Sequence, residues 1–319
     1  MIAISVVMAV YREKIEYIET AVESILSQTF RDFEFIIILD DPTNEEALNV
    51  MEKYKALDDR VIILINERNL GLAMSLNRGI EIAKGKYIAR MDADDRAWPE
   101  RFQTQFDYLE KNTHVSILGT NKNFMDESGV IISKGGHLPT TVEDIAKMMK
   151  YTNVMVHSSV MMRIEDIKRI DCYRDFPTTQ DLDLWLRALS AGLIICNLDE
   201  FLMDYRINSQ GISMSKAFRQ SLIGTYIREL AKERIETGED SFSQQNLQKY
   251  LSDHKADDPE ETKKYNDARI IFEDGRIELK RKHFALGTIK LIKAARMHPL
   301  MKKQVKVTLI SSFIKRGTK

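Results

Sequence analysis

With only two cysteines in 319 residues, Cys172 and Cys196, the chain has no disulfide framework and no metal-ligand spacing, which predicts a reducing compartment. No apolar run approaches the roughly 20 residues that a membrane-spanning helix needs. A basic leader and a small-residue cleavage site are also missing from the opening residues. These run from Ile2 into Tyr11-Arg12-Glu13-Lys14 and read as the first strand of a soluble protein, not as a signal peptide. Neither common glycine-rich phosphate cradle occurs: no G-x-G-x-x-G follows that strand, and there is no P-loop lysine. A nucleotide bound here would need a metal to hold its phosphates. Net charge is scarce at −1, but it is unevenly spread. From Arg276 to Lys319 thirteen Lys and Arg face one acid, Glu278, giving +12 and leaving −13 for the remainder. Such a split suggests a basic tail meeting an anionic surface.

What is present is apolar content of 44%, enough for one large domain with an appendage. Residues 4–10, 33–39 and 61–65 and the run Tyr87-Ile88-Ala89 are short, nearly continuous apolar segments rather than alternating ones. Between them, apolar residues recur at helical spacing: Ile15, Ile18, Val22, Ile25 and Leu26, then Ala47, Val50, Met51 and Tyr54, then Ala73 to Ala83, with Gly85 read as the C-terminal cap. This alternation predicts an α/β fold whose mainly parallel sheet is covered by helices on both faces.

In such sheets, ligands bind beyond the carboxyl ends of the strands. Tyr11, Arg12 and Glu13 after the first strand, Asp40 and Asp41 after the second, and Asp92, Asp94 and Asp95 after the fourth all emerge on that edge. Three carboxylates within four residues repel one another, and burying them unpaired is costly. A solvated acidic turn satisfies that constraint. So does a hard divalent ion that also takes phosphate oxygens as ligands.

Four ordered blocks narrow the choice: Ser5-Val6-Val7-Met8-Ala9-Val10-Tyr11, Ser24-Ile25-Leu26-Ser27-Gln28-Thr29-Phe30, Leu39-Asp40-Asp41 and Ala89-Arg90-Met91-Asp92-Ala93-Asp94-Asp95. Together they resemble successive motifs of the family 2 glycosyltransferases over roughly the first 215 residues. The resemblance implies a Rossmann-like GT-A fold and an inverting, metal-dependent transfer from a nucleotide sugar, commonly a UDP-sugar. It implies that Tyr11 and Asp41 contact the nucleoside, and that Asp92, Asp94 and Asp95 hold the ribose and the metal–diphosphate. Asp94 and Asp95 are then the expected ligands for Mn²⁺ or Mg²⁺, and Ala9, Glu13, Arg90 and Arg206 complete the expected nucleotide-sugar set. Pro42-Thr43-Asn44 departs from the family's Gly-Ser-Thr-type turn.

The same resemblance extends into the second half. Residues 96–111 read as a helix and Val115 to Gly119 as a strand, with Lys134 to Pro139 as a mobile loop whose His137 is exposed. His157 interrupts an apolar segment, 153–163, read as a strand; it is either a satisfied structural histidine or, as the family's His-Ser-Ser implies, an acceptor-side residue. Asp181 falls in the first turn of a helix, where it either stabilises the helix start or, as the family's acidic motif implies, acts as general base. Its neighbour is Gln180 instead of a second acid, and Asp183 is read as solvated. Asp204 to Ser213 resembles the family's Tyr-Arg-x-His segment, with Arg206 suited to a diphosphate and Asn208 in place of histidine.

The expected organisation is a catalytic domain over residues 1–215, with a nucleotide-sugar half to about 95 and an acceptor half from about 96. A helical, basic region follows over 216–319. Its amphipathic helices suit either an anionic membrane surface or packing against protein, a second subunit included. Nucleic acid is not expected, since no aromatic stacking platform accompanies the charge. The acceptor would be a glycan or a lipid-linked one, and the location cytoplasmic or peripheral at the inner face of the membrane. Two rival functions stand beside this one: a sugar-phosphate nucleotidyltransferase and a non-catalytic scaffold of the same fold.

Overall fold

Residues 2–207 and 214–314 are described by a computed structural model, and they divide into two compact units. Strand β1 (Ile4–Val10), helix α1 (Ile15–Leu26), β2 (Phe33–Leu39), α2 (Glu45–Leu57), β3 (Val61–Ile65), α3 (Leu72–Ile82) and β4 (Tyr87–Asp92) form the first half of unit one. The second half contains β5 (Arg96–Ala97), α4 (Arg101–Lys111), β6 (Val115–Met125), β7 (Ile131–Lys134), α5 (Val142–Met149), β8 (Met161–Arg163), α6 (Ile164–Arg169), α7 (Gln180–Ser190) and β9 (Ile194–Arg206). One sheet runs in the order β3-β2-β1-β4-β8-β6-β9-β5, with β7 on β6. Strands β1 to β4 are parallel; β8 runs antiparallel between β4 and β6, and β9 is parallel to β6.

Register decides which residues face which helices. Ile4, Val6, Met8 and Val10 of β1 stand level with Phe33, Phe35, Ile37 and Leu39 of β2. These form one buried cluster with Ile18, Val22 and Ile25 of α1, Met51 of α2 and Phe102 of α4. The alternate residues meet α3 on the opposite face, where Gly79 comes so close to Val7 and Ile38 that a Cβ would collide with both. Burial on both faces explains why the strands read as continuous apolar runs. Each isoleucine fully buried this way contributes about 1.5–3 kcal/mol.

The single polar interruption of β2, Glu34, is buried and pins the other end of the sheet. It accepts from the Ser5 hydroxyl and from the Lys84 N–H, both at 2.6 Å, and the Gly85 N–H donates to Ser5 Oγ at 2.8 Å. Gly85 is therefore not a helix cap, because α3 ends at Ile82, three residues earlier. It is glycine because a Cβ would lie 2.5 Å from the Ser5 backbone nitrogen.

Several expectations in the second half are corrected. Only Met161–Arg163 of the 153–163 segment is strand, and His157–Ser159 makes a 3₁₀ turn. That turn folds Ser159 Oγ back to Val156 O, where it also receives the Thr120 N–H. Residues 96–97 are a short strand ahead of the helix, and β6 runs on to Met125 rather than stopping at Gly119. Asp183 is fully buried, not solvated, because α7 is covered nearly all round. Arg187 one turn later binds it at 2.8 Å, and Arg174 lies at 3.8 Å.

Unit two consists of 150–152 and helices α8 (Met214–Thr237), α9 (Gln244–Asp253), α10 (Pro259–Lys280), α11 (Phe284–Met297) and α12 (Pro299–Ile314). The expected break at His298-Pro299 separates α11 from α12, with proline at the first helical position. Among the described residues no helix is long and apolar enough to cross a membrane.

Gly85→Ala should destabilise the protein by about 1–3 kcal/mol in a urea titration, since strand backbone has to give way. A change within about 0.5 kcal/mol would show that the sheet edge is looser than this packing implies.

Candidate active site

Strand register assembles the site before any side chain is considered. Val10 stands level with Leu39, and Ala9 with Asp92, so the segments after β1, β2 and β4 leave the sheet side by side. Asp40 and Asp41 then part company. Asp40 is buried and accepts from Asn66 and from the Leu70 and Gly71 N–H groups, which makes it a loop anchor. Asp41 stays at the cleft, bound to the exposed Arg12 at 3.0 Å. Thr43 donates to Asp41 Oδ1 through both N–H and hydroxyl, while Asn44 caps α2 and donates to the Tyr11 carbonyl. The Pro42-Thr43-Asn44 departure thus builds the turn that holds Asp41 and Tyr11 together. These bonds keep the Asp41 carboxyl below the usual range.

Glu13 folds back to accept the Tyr11 N–H at 2.8 Å, and its charge interacts with Asp92. Asp92 is paired with Arg90, a side chain buried in the sheet that also donates to the Val7 carbonyl. Asp95 is buried too, and both of its oxygens are engaged, Oδ2 by the Ser158 hydroxyl and Oδ1 by the Arg206 N–H at 2.9 Å. The half-buried Asp94 is different: among the described residues, its carboxylate takes a hydrogen bond from its own backbone. Burial, followed by the nearby Asp92 and Glu13 charges, pushes the Asp94 carboxyl up. Burial with Asp92 and Asp94 does the same to Asp95, and burial raises Glu13. This is a set of hard oxygen donors with too little cation around it.

Arg206 stands at the carboxylate cluster, where its charge acts on Asp94. Its guanidinium donates to the carbonyls of Asp94, Asp126 and Glu127 and lies over the Tyr17 ring, so it braces the turn carrying the carboxylates. Asn208 lies outside the described residues. Lys122, on the part of β6 that the sequence reading left out, is half-buried, stacks on Tyr205 and interacts with the Asp95 and Asp92 charges.

On the other side stands Asp181, half-buried in the first turn of α7. The residue before it, Thr179–Gln180 being the entry to the helix, is preceded by a left-handed Thr179 at φ 63°, a strained conformation for a β-branched residue. Asn153 donates to Asp181 Oδ2 at 2.6 Å while accepting the Met155 N–H, so the amide is oriented from behind. Burial raises the Asp181 carboxyl, and the Asp92 charge adds to this, so the two carboxylates lie within electrostatic reach of each other. His157 contacts the Tyr173 hydroxyl at 2.9 Å, and burial with nearby Arg90 lowers its pKa to about 3, so it is neutral at physiological pH. His137 pairs instead with Asp199 and is exposed.

Sequence reasoning therefore missed Ser158, Asn153, Tyr173 and Lys122. Ser158 sat beside a noticed histidine, whereas Asn153 lies 28 residues from its partner with no local signal. Among the described residues no three His, Cys, Asp or Glu side chains converge as a ready metal cage. Magnesium and manganese sites that complete their shell with phosphate and water need only one or two carboxylates, and Asp94 with a neighbouring carboxylate meets that need.

Comparison with known proteins locates this arrangement. The model of glycosyl transferase family 2 matches residues 5–170. An uncharacterized glycosyltransferase of Methanocaldococcus jannaschii is 37% identical over 70% of this chain and 77% of its own length. The Escherichia coli UDP-Glc:alpha-D-GlcNAc-diphosphoundecaprenol beta-1,3-glucosyltransferase WfaP is 30% identical over 67% of this chain and 80% of its own. In fold, the chain superposes on Staphylococcus aureus TarS 1-349, solved with UDP-GlcNAc, at a TM-score of 0.57 and 16% identity, covering 79% of this chain and 71% of that one.

Asp94→Asn should raise the melting temperature of the ligand-free protein. The Asp94 carboxyl is raised in the folded state, so stability falls as pH climbs from the unfolded carboxylate range toward that raised value. The variant loses this penalty, and its advantage should widen between about pH 4 and pH 8 in thermal melts. An advantage that shrinks with pH would contradict the repulsion.

Proposed function

Since the chain belongs to glycosyl transferase family 2 and is a glycosyltransferase of GT-A fold, we propose that it catalyses an inverting transfer from a UDP-sugar to a hydroxyl in polysaccharide or glycoconjugate synthesis. The observation that carries this reading is a crowded carboxylate set, Asp94 and Asp95 among it, within electrostatic reach of a separately held carboxylate, Asp181. Family membership removes the nucleotidyltransferase alternative. The donor assignment is supported by the E. coli relative, named for UDP-glucose, and by the TarS complex with UDP-GlcNAc. That relative's diphosphoundecaprenol acceptor supports a lipid-linked acceptor here.

Tyr11 and the braced Asp41 would receive the nucleoside beside Ala9. Glu13, Arg90 and Asp92 would line the ribose and the start of the diphosphate. Asp94 and Asp95, the latter fixed by Ser158 and Arg206, would hold Mn²⁺ or Mg²⁺. When bound, such an ion neutralises charge on the departing diphosphate. Asp181 would take the proton from the acceptor hydroxyl as that oxygen attacks the anomeric carbon from the face opposite the leaving group. Asn153 keeps the charged carboxylate aimed, and neutral His157 with Tyr173 would flank the acceptor without competing for its proton.

Asp181→Asn should lower transfer by about 10²–10⁴-fold and leave UDP affinity within about twofold, whereas Asp94→Asn should lose metal-dependent UDP binding. Calorimetric titration of UDP alongside a transfer assay separates the two. Transfer that persists in Asp181→Asn would remove the base assignment. Because burial raises the Asp181 carboxyl, kcat/KM should rise with pH through an acid limb above the ordinary carboxylate range. Asn153→Ala withdraws a hydrogen bond that favours the charged form and should move that limb to still higher pH. A limb that stays in place would mean Asn153 does not act on the base.

A further inference from the structure

Helix α11 is locked in rotation. Its inner face, Gly287, Leu291 and Ala294, is buried against α10, and Gly287 and Gly275 approach so closely that a Cβ on either would crowd the other's carbonyl oxygen. At 100° per residue this forces Leu286, Ile289, Ile292 and Met297 outward, and they are 46%, 63%, 43% and 37% exposed. Three large aliphatic side chains more than two-fifths exposed on one short helix face form more than isolated surface apolars. Lys293 and Arg296 lie between them on the same outward face, both exposed. From Phe284 through Ile314 the chain has six Lys and Arg and no Asp or Glu.

We propose that this outward face of α11 docks the enzyme on an anionic phospholipid surface. The aliphatic side chains would enter the headgroup boundary, while the interleaved Lys293 and Arg296 pair with lipid phosphates. Apolar residues spaced by cations on a fixed helix face match the pattern of helices that lie in the plane of a bilayer. A two-fold contact with a second copy through this face fits the charges less well, since it would set Lys293 and Arg296 against their own symmetry mates. The proposal goes beyond the transfer reaction and does not depend on how Asp181 or the carboxylate cluster acts.

Sedimentation of the full chain with vesicles tests it, using phosphatidylcholine with and without phosphatidylglycerol. The expected result is binding at least about tenfold tighter to the anionic vesicles, weakened by salt over the range in which the Debye length contracts. Ile289→Glu/Ile292→Glu and Lys293→Glu/Arg296→Glu should each reduce it by about tenfold or more. Both should keep the wild-type circular dichroism, UDP binding and donor hydrolysis. Equal partitioning of wild type and both variants, or no preference for anionic vesicles, would overturn the proposal. So would a self-associating wild type that either variant turns into monomer, because the face would then be a contact between copies. If either variant fails to fold, the salt dependence and lipid preference of the wild type still decide the matter.

Discussion

Mutual repulsion among Glu13, Asp92, Asp94 and Asp95 is the constraint around which the catalytic unit is arranged. Carboxylates crowded this closely at the mouth of a sheet oppose burial. The fold answers with cations placed underneath rather than alongside. Arg90 rises from β4 to pair with Asp92, and Arg101, fully buried, donates to the Arg90 and Val160 carbonyls and is itself lowered to about 9 by burial and by Arg90. These two charges interact with the cluster from within the core. The remaining imbalance is what a divalent ion and a diphosphate would relieve.

The scaffold converts that imbalance into a directional site. Parallel register between β1, β2 and β4 delivers Tyr11, Asp41 and Asp92 to one edge, and the antiparallel insertion of β8 brings the 157–159 turn beneath Asp95. Strand β9 returns to supply the Arg206 N–H to Asp95, and Asp204 ties Arg96, Trp98 and Asn123 together behind it. The two bonds given to the Asp95 carboxylate, from Ser158 and Arg206, therefore come from different parts of the chain. The oriented Asn153 does the equivalent service for Asp181, in the first turn of α7.

Which of this was legible in the sequence follows from how local each cause is. The β-α alternation, the strand-end carboxylates and the helix break at Pro299 depend on residues within a turn or two, and the sequence pattern carried them. Side chains satisfied across the fold were not legible. Asp183 looked solvated because an isolated acid usually is, yet Arg187 and Arg174 neutralise it inside the core. Gly85 looked like a cap because helix-ending glycines usually are, whereas its reason is the approach of the Ser5 backbone 80 residues away. Arg206 looked like a phosphate ligand by charge, and only the structure reveals the three carbonyls that its guanidinium already serves. Lys122 was overlooked because Gly119 ended the readable strand while the backbone ladder continued.

The central claim is that the cluster is held partly protonated by burial and mutual repulsion until a cation and diphosphate arrive. Proton release on binding preformed Mn²⁺–UDP, obtained by calorimetry in two buffers of different ionisation enthalpy at about pH 6, tests it most directly. The account predicts net release of protons that diminishes as the pH is raised, because the raised carboxyls of Glu13, Asp94 and Asp95 must ionise to receive the ion. Tight binding with no proton release across that range would contradict it.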